Sequence, residues 1–436
     1  MVDHTATARM QRLVRWLEQF KRCFGHRAQL MSLRSYVQGV FSDSDRKSMQ
    51  AMLARVTEPV AYQAFQHFIT HAPWDADRVW RRLRQVVPER RGVLILDGTS
   101  FPKHGTHSVG TARQYCGALG KIANCQVATT VALWTGVRAW CLGAILYLPE
   151  AWLTLDARRR ARIPAAVTFQ EKWRHALTLL RQVRAAGFHV TGVVGDAEFG
   201  DVSAVRMALH RLQLPYALGI SSDLTVFLQR PCLRPRRRRH FGRPATRVHL
   251  GLQRPVAVAT IAGAWPRRAW RTISWRNGAN RSRRARFAAV RVTPAHGWRQ
   301  GTLAPVVWLL CEREEGRTGR RRFYFVHLPA DRSWRALVRL AHQRWAIEQQ
   351  YQELKSELGL DHFEGRTYPG WQHHVVLTAV SHAYIQRERM RRGAAGLTFP
   401  AVRAIVQEIF TALLFAAKPR YMHWMEQAKR ELQLRI

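Results

Sequence analysis

Apolar residues at helical spacing run through the first ninety residues of the chain. In ATARMQRLVRWLEQFKRCF (residues 6–24) they recur every three or four positions, and DRKSMQAMLARV and PVAYQAFQHFI repeat the pattern. The next segment, WDADRVWRRLRQVV, carries Asp75 and Asp77 where the N-cap of a helix is expected. These patterns predict a helical region over residues 5–90. Its helices suit internal packing and DNA binding about equally.

From residue 91 the pattern changes to short apolar runs separated by helical segments. GVLILDGTSF is an apolar run into Asp97, and FHVTGVVGD is a second run that ends on Asp196. The predicted elements are a strand (92–101), a β-hairpin turning near Thr135 (125–149), a helix ending at Gly187 (169–187), a strand (188–196), a helix (203–213) and a strand (215–221). Strands that alternate with helices in this way predict a mixed α/β fold.

The segment from 222 to 330 has a different character. RPCLRPRRRRHFGRPATR (230–247) combines prolines with a run of arginines and predicts a loop. The strand-like pieces that follow are RVHLGL, VAVATIAG, AWRTISW, ARFAAVRV, APVVWLLCE and RRFYFVHLP. After this β-rich insertion, residues 334–359 predict one long helix, and helices over 372–388 and 401–416 close the chain.

Charge narrows the range of partners. The 436 residues include 70 Lys plus Arg against 29 Asp plus Glu, a formal net charge of +41. A GC-rich genome explains the preference for Arg over Lys but not the shortage of acids. An excess of this size favours nucleic acid as the partner. It makes little sense for an enzyme of small molecules, and no Gly-rich nucleotide loop is present.

Cysteine usage and hydropathy indicate the cellular location. The six cysteines are scattered and none forms a Cys-x-x-Cys pair, so neither a zinc site nor a disulfide framework is expected. The first twenty residues carry charges throughout and do not resemble a signal peptide. No run of 18 uninterrupted apolar residues is present, so we expect no membrane span and a cytoplasmic protein.

Acidic residues at the ends of two predicted strands indicate a catalytic centre. Asp97 and Asp196 each follow an apolar run, and in open α/β sheets chemistry gathers at the carboxyl ends of strands. Two carboxylates there can hold Mg²⁺. An Asp after a strand is otherwise a turn former or helix cap. The long helix offers a third acid, Glu348, with Arg344 and Lys355 on roughly the same face, although such a face can also be an ordinary salt-bridge stripe.

Three segments carry a resemblance to a known family. LDGTSFPKHGTHSVGTARQYCGALGKIANCQVATTVALW (96–134), VVGDAEFGD and RWAIEQQYQELKSELGLDHFEGRTYPGWQHHVVLTAVSHAYI (344–385) together resemble bacterial insertion-sequence transposases of the DDE superfamily, in particular the IS 701 group. The first motif is long and specific, and the others add order and spacing over residues 30–390. The resemblance implies an RNase H-like mixed α/β core.

The same resemblance implies catalytic roles. Asp97, Asp196 and Glu348 correspond to the three catalytic acids and metal ligands. Arg344, Glu348 and Lys355 fit the Tyr-Arg-Glu-Lys signature of the related IS 4 group, but Ala341 stands at the Tyr position. Relatives often read Asp-Asp after the first strand, where this chain has Asp97 followed by glycine.

The implied organisation and cofactors follow. We expect a helical N-terminal DNA-binding domain, a catalytic core in two parts, a β-rich insertion domain and a helical C-terminal region, over residues 1–90, 91–221 with 331–390, 222–330 and 391–436. Two Mg²⁺ ions are expected, with Mn²⁺ able to substitute. The expected partners are double-stranded DNA (terminal inverted repeats and target DNA) and a second copy in a homodimer on paired ends. No membrane and no small-molecule cofactor is expected, and the bacterial protein would associate with the nucleoid.

Further DNA contacts are open to two interpretations. Arg113 and Lys121, in the first motif, are candidate contacts to the DNA backbone, and a loop packed on the sheet is an equally good explanation. In related enzymes an insertion-domain Trp stacks on a flipped base. The candidates here are Trp265, Trp270, Trp275 and Trp298, although core packing is the commoner use of such residues.

Three functional classes therefore remain. The first is an active transposase that cleaves the element ends and transfers the strands into target DNA. The second is a catalytically silent DNA-binding regulator, which three intact acids argue against. The third is a structure-selective nuclease that cuts without strand transfer, and no sequence feature separates it from the first.

Overall fold

The computed structural model describes residues 2–234, 249–250, 253–277, 281–314, 321–394, 396–418 and 423. The first ninety residues form α1 (Val2–Glu18), α2 (Arg27–Val40), α3 (Met49–Ala54), α4 (Tyr62–Thr70) and α5 (Ala76–Val86). The predicted helices are thereby confirmed. Asp75 caps α5, because its carboxylate accepts a hydrogen bond from the Asp77 N–H at 2.8 Å.

The central region alternates strands and helices as predicted. Its elements are β1 (Arg91–Pro102), β2 (Ala112–Cys116), β3 (Lys121–Trp134), β4 (Ala139–Leu146), α6 (Leu155–Ala161), α7 (Lys172–Ala185), β5 (His189–Gly195), α8 (Ala197–Gly200), α9 (Ser203–Arg211) and β6 (Tyr216–Ile220). The predicted β-hairpin is β3 and β4, joined through the turn at Thr135. Gly187 follows α7 with φ +82°, a conformation that glycine adopts without strain.

The strand order gives the fold class. Across the sheet the strands run β4-β3-β1-β5-β6, with β3 antiparallel to both β1 and β4 and with β5 parallel to both β1 and β6. Three antiparallel strands followed by two parallel ones in this order form an RNase H-like sheet. The predicted mixed α/β, RNase H-like core is therefore confirmed.

Both faces of the central sheet are covered by apolar side chains. Leu94 and Leu96 of β1 pack on one side, in the large core that includes α7 and the N-terminal helices. Val93 and Ile95 pack on the other side, in a second cluster with Leu337 and other apolar residues. Burial on both faces explains why the sequence of β1 is a continuous apolar run rather than an alternating one.

The strands after residue 222 extend the same sheet. The elements are β7 (Thr225–Phe227), β8 (Leu233–Arg234), β9 (His249–Leu250), β10 (Val256–Ala257), α10 (Val258–Ala264), β11 (Arg271–Asn277), β12 (Arg281–Pro294), β13 (Val307–Arg313) and β14 (Arg321–His327). β14 pairs with β6, and β13, β12 and β11 follow outward. Backbone hydrogen bonds thus connect this segment to the core sheet.

Two local predictions in this segment need correction. VAVATIAG was expected to be a strand, but all except its first two residues form α10, because Val258, Ile261 and Ala262 are buried at helical spacing. The loop expected over 230–247 contains the short strand β8, which pairs with β9. The rest of that loop from residue 235 onward, and most of RVHLGL, lie outside the described residues.

The long helix predicted over 334–359 is interrupted. It consists of α11 (Trp334–Ala341), a 3₁₀ turn (His342–Arg344), α12 (Trp345–Gln352) and a π-helical turn (Glu353–Glu357). The prediction of one regular helix was wrong because hydrophobic periodicity contains no information about the long-range contacts that change the hydrogen-bond pattern of individual turns. Buried Glu353, in the π-helical turn, accepts hydrogen bonds from His382 at 2.9 Å and Gln386 at 3.0 Å.

Two helices close the described chain. The buried helix α13 (Tyr368–Arg389) packs against α2, α4 and α5, and α14 (Phe399–Ala417) packs against α1 and α13. By length and composition alone α14 could cross a membrane, with a mean hydropathy of 1.5 over its most apolar stretch. Helices inside folded cores have the same length and composition, so this property by itself is weak evidence for a membrane span.

Candidate active site

Asp97 lies within a strand rather than at its end. β1 continues to Pro102 because its pairing with β3 goes on, and Asp97 is paired there with Thr130. Its pairing with β5 stops earlier, at Ile95. The expectation that Asp97 ends the strand was wrong for β1, but Asp97 does lie just beyond the last pair with β5. The residue is 4% exposed.

Asp196 follows directly after β5, where it caps a helix and also lines a cavity. Its carboxylate accepts a hydrogen bond from the Glu198 N–H at 3.0 Å and so caps the short helix α8. The same side chain lines a cavity of about 1300 Å³. The helix-cap interpretation is therefore confirmed, and the second carboxylate oxygen, Oδ2, faces Arg344, whose Nη2 lies 3.5 Å away.

Glu198 explains the glycine that follows Asp97. A Cβ atom built on Gly98 would lie 3.0 Å from Oε2 of Glu198. An acidic side chain at position 98 would therefore meet another carboxylate. Glu198 is also paired with Lys172, whose Nζ lies 2.5 Å from Oε1. The space beside Asp97 that an Asp-Asp sequence would fill is occupied here by Glu198.

Arg344 joins the two aspartates. Its Nη2 lies 2.6 Å from Oδ1 of Asp97 and 3.5 Å from Oδ2 of Asp196. Burial raises the pKa of Asp97 to about 6, with Arg344 acting against this shift and Asp196 adding to it. Burial also raises the pKa of Asp196. Burial alone would lower the pKa of Arg344, but the two carboxylates outweigh it and raise that pKa.

Glu348 lies one helical turn after Arg344 and faces the same cavity. This cavity, of about 1300 Å³, lies between the carboxyl ends of β5 and β6 and the strands β12–β14. Asp196, Glu348 and Arg344 line it together with four arginines of the extended sheet, Arg283, Arg284, Arg321 and Arg322. A cavity lined by both carboxylates and guanidinium groups suits a phosphodiester backbone near metal ligands.

Lys355 is not among the residues that line this cavity. Its Nζ donates a hydrogen bond to the carbonyl oxygen of Ser100 at 2.9 Å and lies 5.2 Å from the ring centre of Phe101. Burial lowers the pKa of its ammonium group. Arg344 and Lys355 thus both reach β1, as two residues on one helix face should, but only Arg344 meets the acids.

Arg113 and Lys121 lie on the hairpin formed by β2 and β3. Both side chains are exposed, and the hairpin continues β3 away from Thr130 and the acids. Neither residue lines the cavity. Their role as DNA contacts stays a prediction.

Tyr351 is a site residue that sequence reasoning missed. Its hydroxyl is 2.6 Å from Oγ1 of Thr130, which itself lies 3.4 Å from the carbonyl oxygen of Asp97. A hydrogen bond from Tyr351 also acts to lower the pKa of Asp97. The signal was available, because Tyr351 follows Glu348 by three residues and so lies on a neighbouring face of the helix.

A second polar cluster holds α11 and the 3₁₀ turn against the extended sheet. Buried Glu312 of β13 accepts a hydrogen bond from the Tyr324 hydroxyl at 3.0 Å and lies 3.4 Å from Nε2 of His342. The ring of Trp275 stacks on His342 with 4.0 Å between centres. Of the four tryptophans considered for base stacking, Trp275 lines the cavity and the other three do not.

Comparison with known proteins identifies the family. A family model described as "DDE superfamily endonuclease" matches residues 19–282. A protein of Microchaete diplosiphon named as a probable transposase for insertion sequence element IS701 is 31% identical over 191 residues. That match covers 42% of this chain and 47% of the relative, so it spans about half of the relative's length.

A solved structure gives a weaker likeness. The cryo-EM structure of the piggyBac transposase synaptic complex with hairpin DNA is 8% identical, with a TM-score of 0.43 over 91% of this chain and 73% of that one. A TM-score this low does not establish a shared fold by itself.

The chain belongs to the DDE superfamily endonuclease family, since the family model covers more than half of it. The predicted resemblance to insertion-sequence transposases of this superfamily is confirmed. Proteins of this superfamily generally use divalent metal ions.

The residues present fit such an ion. Asp97 and Asp196 offer hard oxygen donors, and both reach one guanidinium nitrogen of Arg344, so a positive charge already fits between them. Among the described residues, no group of three acidic, His or Cys side chains is close enough to form a metal cluster. In this arrangement Glu348 is therefore separate from the two aspartates.

Proposed function

We propose that this protein is an insertion-sequence transposase that cleaves DNA at the ends of its element and joins the freed 3′ ends to target DNA. One observation supports the proposal above all. Two aspartates from adjacent parallel strands of an RNase H-like sheet contact the same arginine, Arg344, beside a cavity that is lined by Glu348 and by four further arginines. Membership of the endonuclease family supports the same chemistry.

The proposed metal ligands are Asp97, Asp196 and Glu348. They would hold two Mg²⁺ ions, for which Mn²⁺ would substitute. Bound there, the ions would lower the pKa of the attacking water or 3′-hydroxyl and stabilise charge on the leaving oxygen. The protein's own contribution is to place Asp196 and Glu348 at the cavity and to keep Asp97, joined to Asp196 through Arg344, away from bulk water.

Arg344 has two successive roles in this proposal. Without metal it neutralises Asp97 and Asp196, whose charges would otherwise repel each other. Once those carboxylates are otherwise engaged, its planar guanidinium group is released to hold a DNA phosphate from the same side of the cavity. Lys355 would join it only after leaving the Ser100 carbonyl, and Arg113 and Lys121 would contact the backbone farther out.

The regions around the site have proposed roles as well. The helical region 1–90 would bind the terminal repeat, and the segment 222–330 would form the insertion domain that closes over the DNA with its arginines. The second core segment 331–390 supplies Glu348, and 391–436 completes the helical C-terminal region. We propose a homodimer on paired ends, acting at the bacterial nucleoid on double-stranded DNA.

Strand cleavage and joining test the proposal. Purified protein is incubated with labelled DNA carrying the ends that flank its own gene, with and without Mg²⁺, beside a supercoiled target plasmid. Glu348→Gln serves as the site variant and Glu408→Gln, on the exposed side of α14, as the matched control. Metal-dependent cutting and joining that Glu348→Gln abolishes and Glu408→Gln retains would support the transposase.

Other outcomes would replace the proposal. Cutting without joining by the unmodified protein would identify a structure-selective nuclease. Tight binding without any cutting would identify a silent DNA-binding regulator. Equal cutting by Glu348→Gln would show that the third acid lies elsewhere.

A further inference from the structure

The hairpin of β2 and β3 exposes three large apolar side chains at its tip. Tyr115 is 65% exposed, Ile122 61% and Leu119 49%. Tyr115 and Ile122 are directly paired across the two strands, so their side chains lie on the same face, and Leu119 belongs to the turn between them. Clustered apolar groups on an exposed tip indicate a contact surface.

The turn of this hairpin is tied to β1. Ser100 of β1 accepts a hydrogen bond from the Ala118 N–H in the turn at 3.0 Å, and the Gln114 side chain donates to the Cys125 carbonyl at 3.0 Å. Cys116 and Cys125, in the two strands of the hairpin, are buried. These contacts fix the hairpin against β1 while Tyr115, Leu119 and Ile122 stay exposed.

Charge selects the occupant of the surface. Arg113 precedes Tyr115 by two residues and so lies on the same face of β2, whereas Lys121, next to Ile122 and paired with Cys116, lies at the edge of the turn on the other face. Both cations are exposed. Duplex DNA offers phosphates to such cations and an apolar base stack to the side chains between them. A second copy of a chain with a net charge of +41 would instead bring like charges together.

We infer that the β2–β3 hairpin is a DNA wedge, whose apolar tip inserts at a base step of the bound duplex and unstacks it. The inference rests on the proposed function for the position of the DNA at Asp97. Apolar side chains that enter the minor groove commonly unstack one step and kink the duplex. The cations beside the tip hold the backbone on either side of the opened step.

The strand geometry places the step. The turn of the hairpin is tied to Ser100, which follows Asp97 by three residues in β1. Three residues of strand span about 10 Å. With about 3.4 Å for each base pair of duplex, the opened step lies about three base pairs from the phosphate that is cut.

Fluorescence of 2-aminopurine tests the wedge directly. The base analogue is moved one position at a time through a duplex carrying the element end, and the protein is added without metal so that no cutting occurs. We expect a several-fold rise in fluorescence at one step about three base pairs from the cleavage point. The double variant Tyr115→Ser, Ile122→Ser should lose this rise.

Controls separate the wedge from general effects. The matched double variant Val137→Ser, Leu155→Ser removes two apolar side chains elsewhere that are at least as exposed, 65% and 84%, and should keep the fluorescence peak. Leu119→Ser, a single change in the turn, should also weaken the fluorescence peak. It serves as the hairpin variant if the double variant folds poorly. Circular dichroism melting reports folding for each protein.

Each outcome decides the inference. A peak that persists in the hairpin variants, or no peak with a wild-type protein that binds the DNA, overturns it. An unchanged peak together with loss of a dimer in the hairpin variants, seen by sedimentation, also overturns it and assigns the surface to a second copy. Cleavage is measured separately with Mg²⁺. A wild-type protein that unstacks the step but never cuts would overturn the proposed function and leave the wedge.

Discussion

Removing the Arg344 side chain should lower the stability of the metal-free protein and increase the stabilisation that Mg²⁺ provides. In Arg344→Ala, Asp97 at 4% exposure loses the guanidinium nitrogen that lies 2.6 Å from its carboxylate. Breaking a buried ion pair costs about 3–5 kcal/mol. The Arg344 side chain is 33% exposed, so solvent screening reduces this cost, and we expect a loss of about 2 kcal/mol.

Thermal unfolding measures both effects. For a chain of this length a loss of about 2 kcal/mol lowers the Tm by roughly 2 °C. Mg²⁺ should then raise the Tm of Arg344→Ala by more than it raises that of the wild type, because the ion no longer has to displace the guanidinium group. Assays at pH 8 lie above the pKa of about 6 that Asp97 has in the wild type, where Arg344 acts to lower it.

A surface ion pair provides the matched control. Arg174 is exposed and lies 3.9 Å from Glu171, so Arg174→Ala should change the Tm by well under 1 °C and leave the metal response unaltered. If Arg344→Ala is as stable as the wild type without metal, Arg344 does not neutralise the aspartates. If Mg²⁺ stabilises both proteins equally, the arginine and the ion do not compete for the same place.

Three further predictions concern the core around the site. The pKa of buried His374 is lowered to about 4 by burial, below its ordinary 6.5, so its contribution to stability is complete above pH 6.5 and is lost as the pH falls toward 4. Chemical unfolding should show a loss of about 3 kcal/mol over that range, and His374→Gln should show a smaller one. Gly200→Ala should abolish soluble expression, because its Cβ would lie 1.7 Å from the carbonyl oxygen of Gly219. Glu353→Ala should lower stability by about 1–3 kcal/mol in chemical unfolding, since it leaves buried His382 and Gln386 without their shared acceptor.

Each of these predictions has a contrary result. A pH dependence that His374→Gln leaves unaltered would assign the acid sensitivity to other groups. Gly105→Ala, where nothing lies within 4 Å of the added Cβ, is the control for Gly200→Ala, and equal behaviour of the two would refute the clash. Glu353→Gln keeps an acceptor for the buried partners, so it should be less harmful than Glu353→Ala.

The sequence was informative where one interaction dominates a segment. Burial on both faces leaves continuous apolar runs in β1 and β5, and these runs predicted the strands and the position of both aspartates near one edge. The apolar run itself stops at Leu96, whereas β1 continues through its pairing with β3 to Pro102, one residue beyond the predicted end. That partner contributes backbone hydrogen bonds, which leave no mark in the sequence of β1.

The helix that carries the third acid shows the opposite case. Its period predicted a regular helix over 334–359, and local propensity supported it. The structure instead places a 3₁₀ turn at Arg344 and a π-helical turn at Glu353. Both residues make long-range contacts, Arg344 with the aspartates and Glu353 with His382. Contacts between residues so far apart in the chain cannot be derived from a local period.

The assignment of Glu348 as the third acid stays a prediction, and the geometry defines what it requires. Glu348 follows Arg344 by four residues, about 6 Å along the helix and on the same side. It already faces the cavity that Asp196 lines, and the guanidinium group of Arg344 lies between Asp97 and Asp196. Bringing three carboxylates around metal ions therefore requires the arginine side chain to turn away, while the strands can stay in place. If only the arginine side chain moves, metal binding should leave the backbone amide hydrogen exchange of β1 and β5 unchanged. Much faster amide exchange in those strands on metal binding would refute this account.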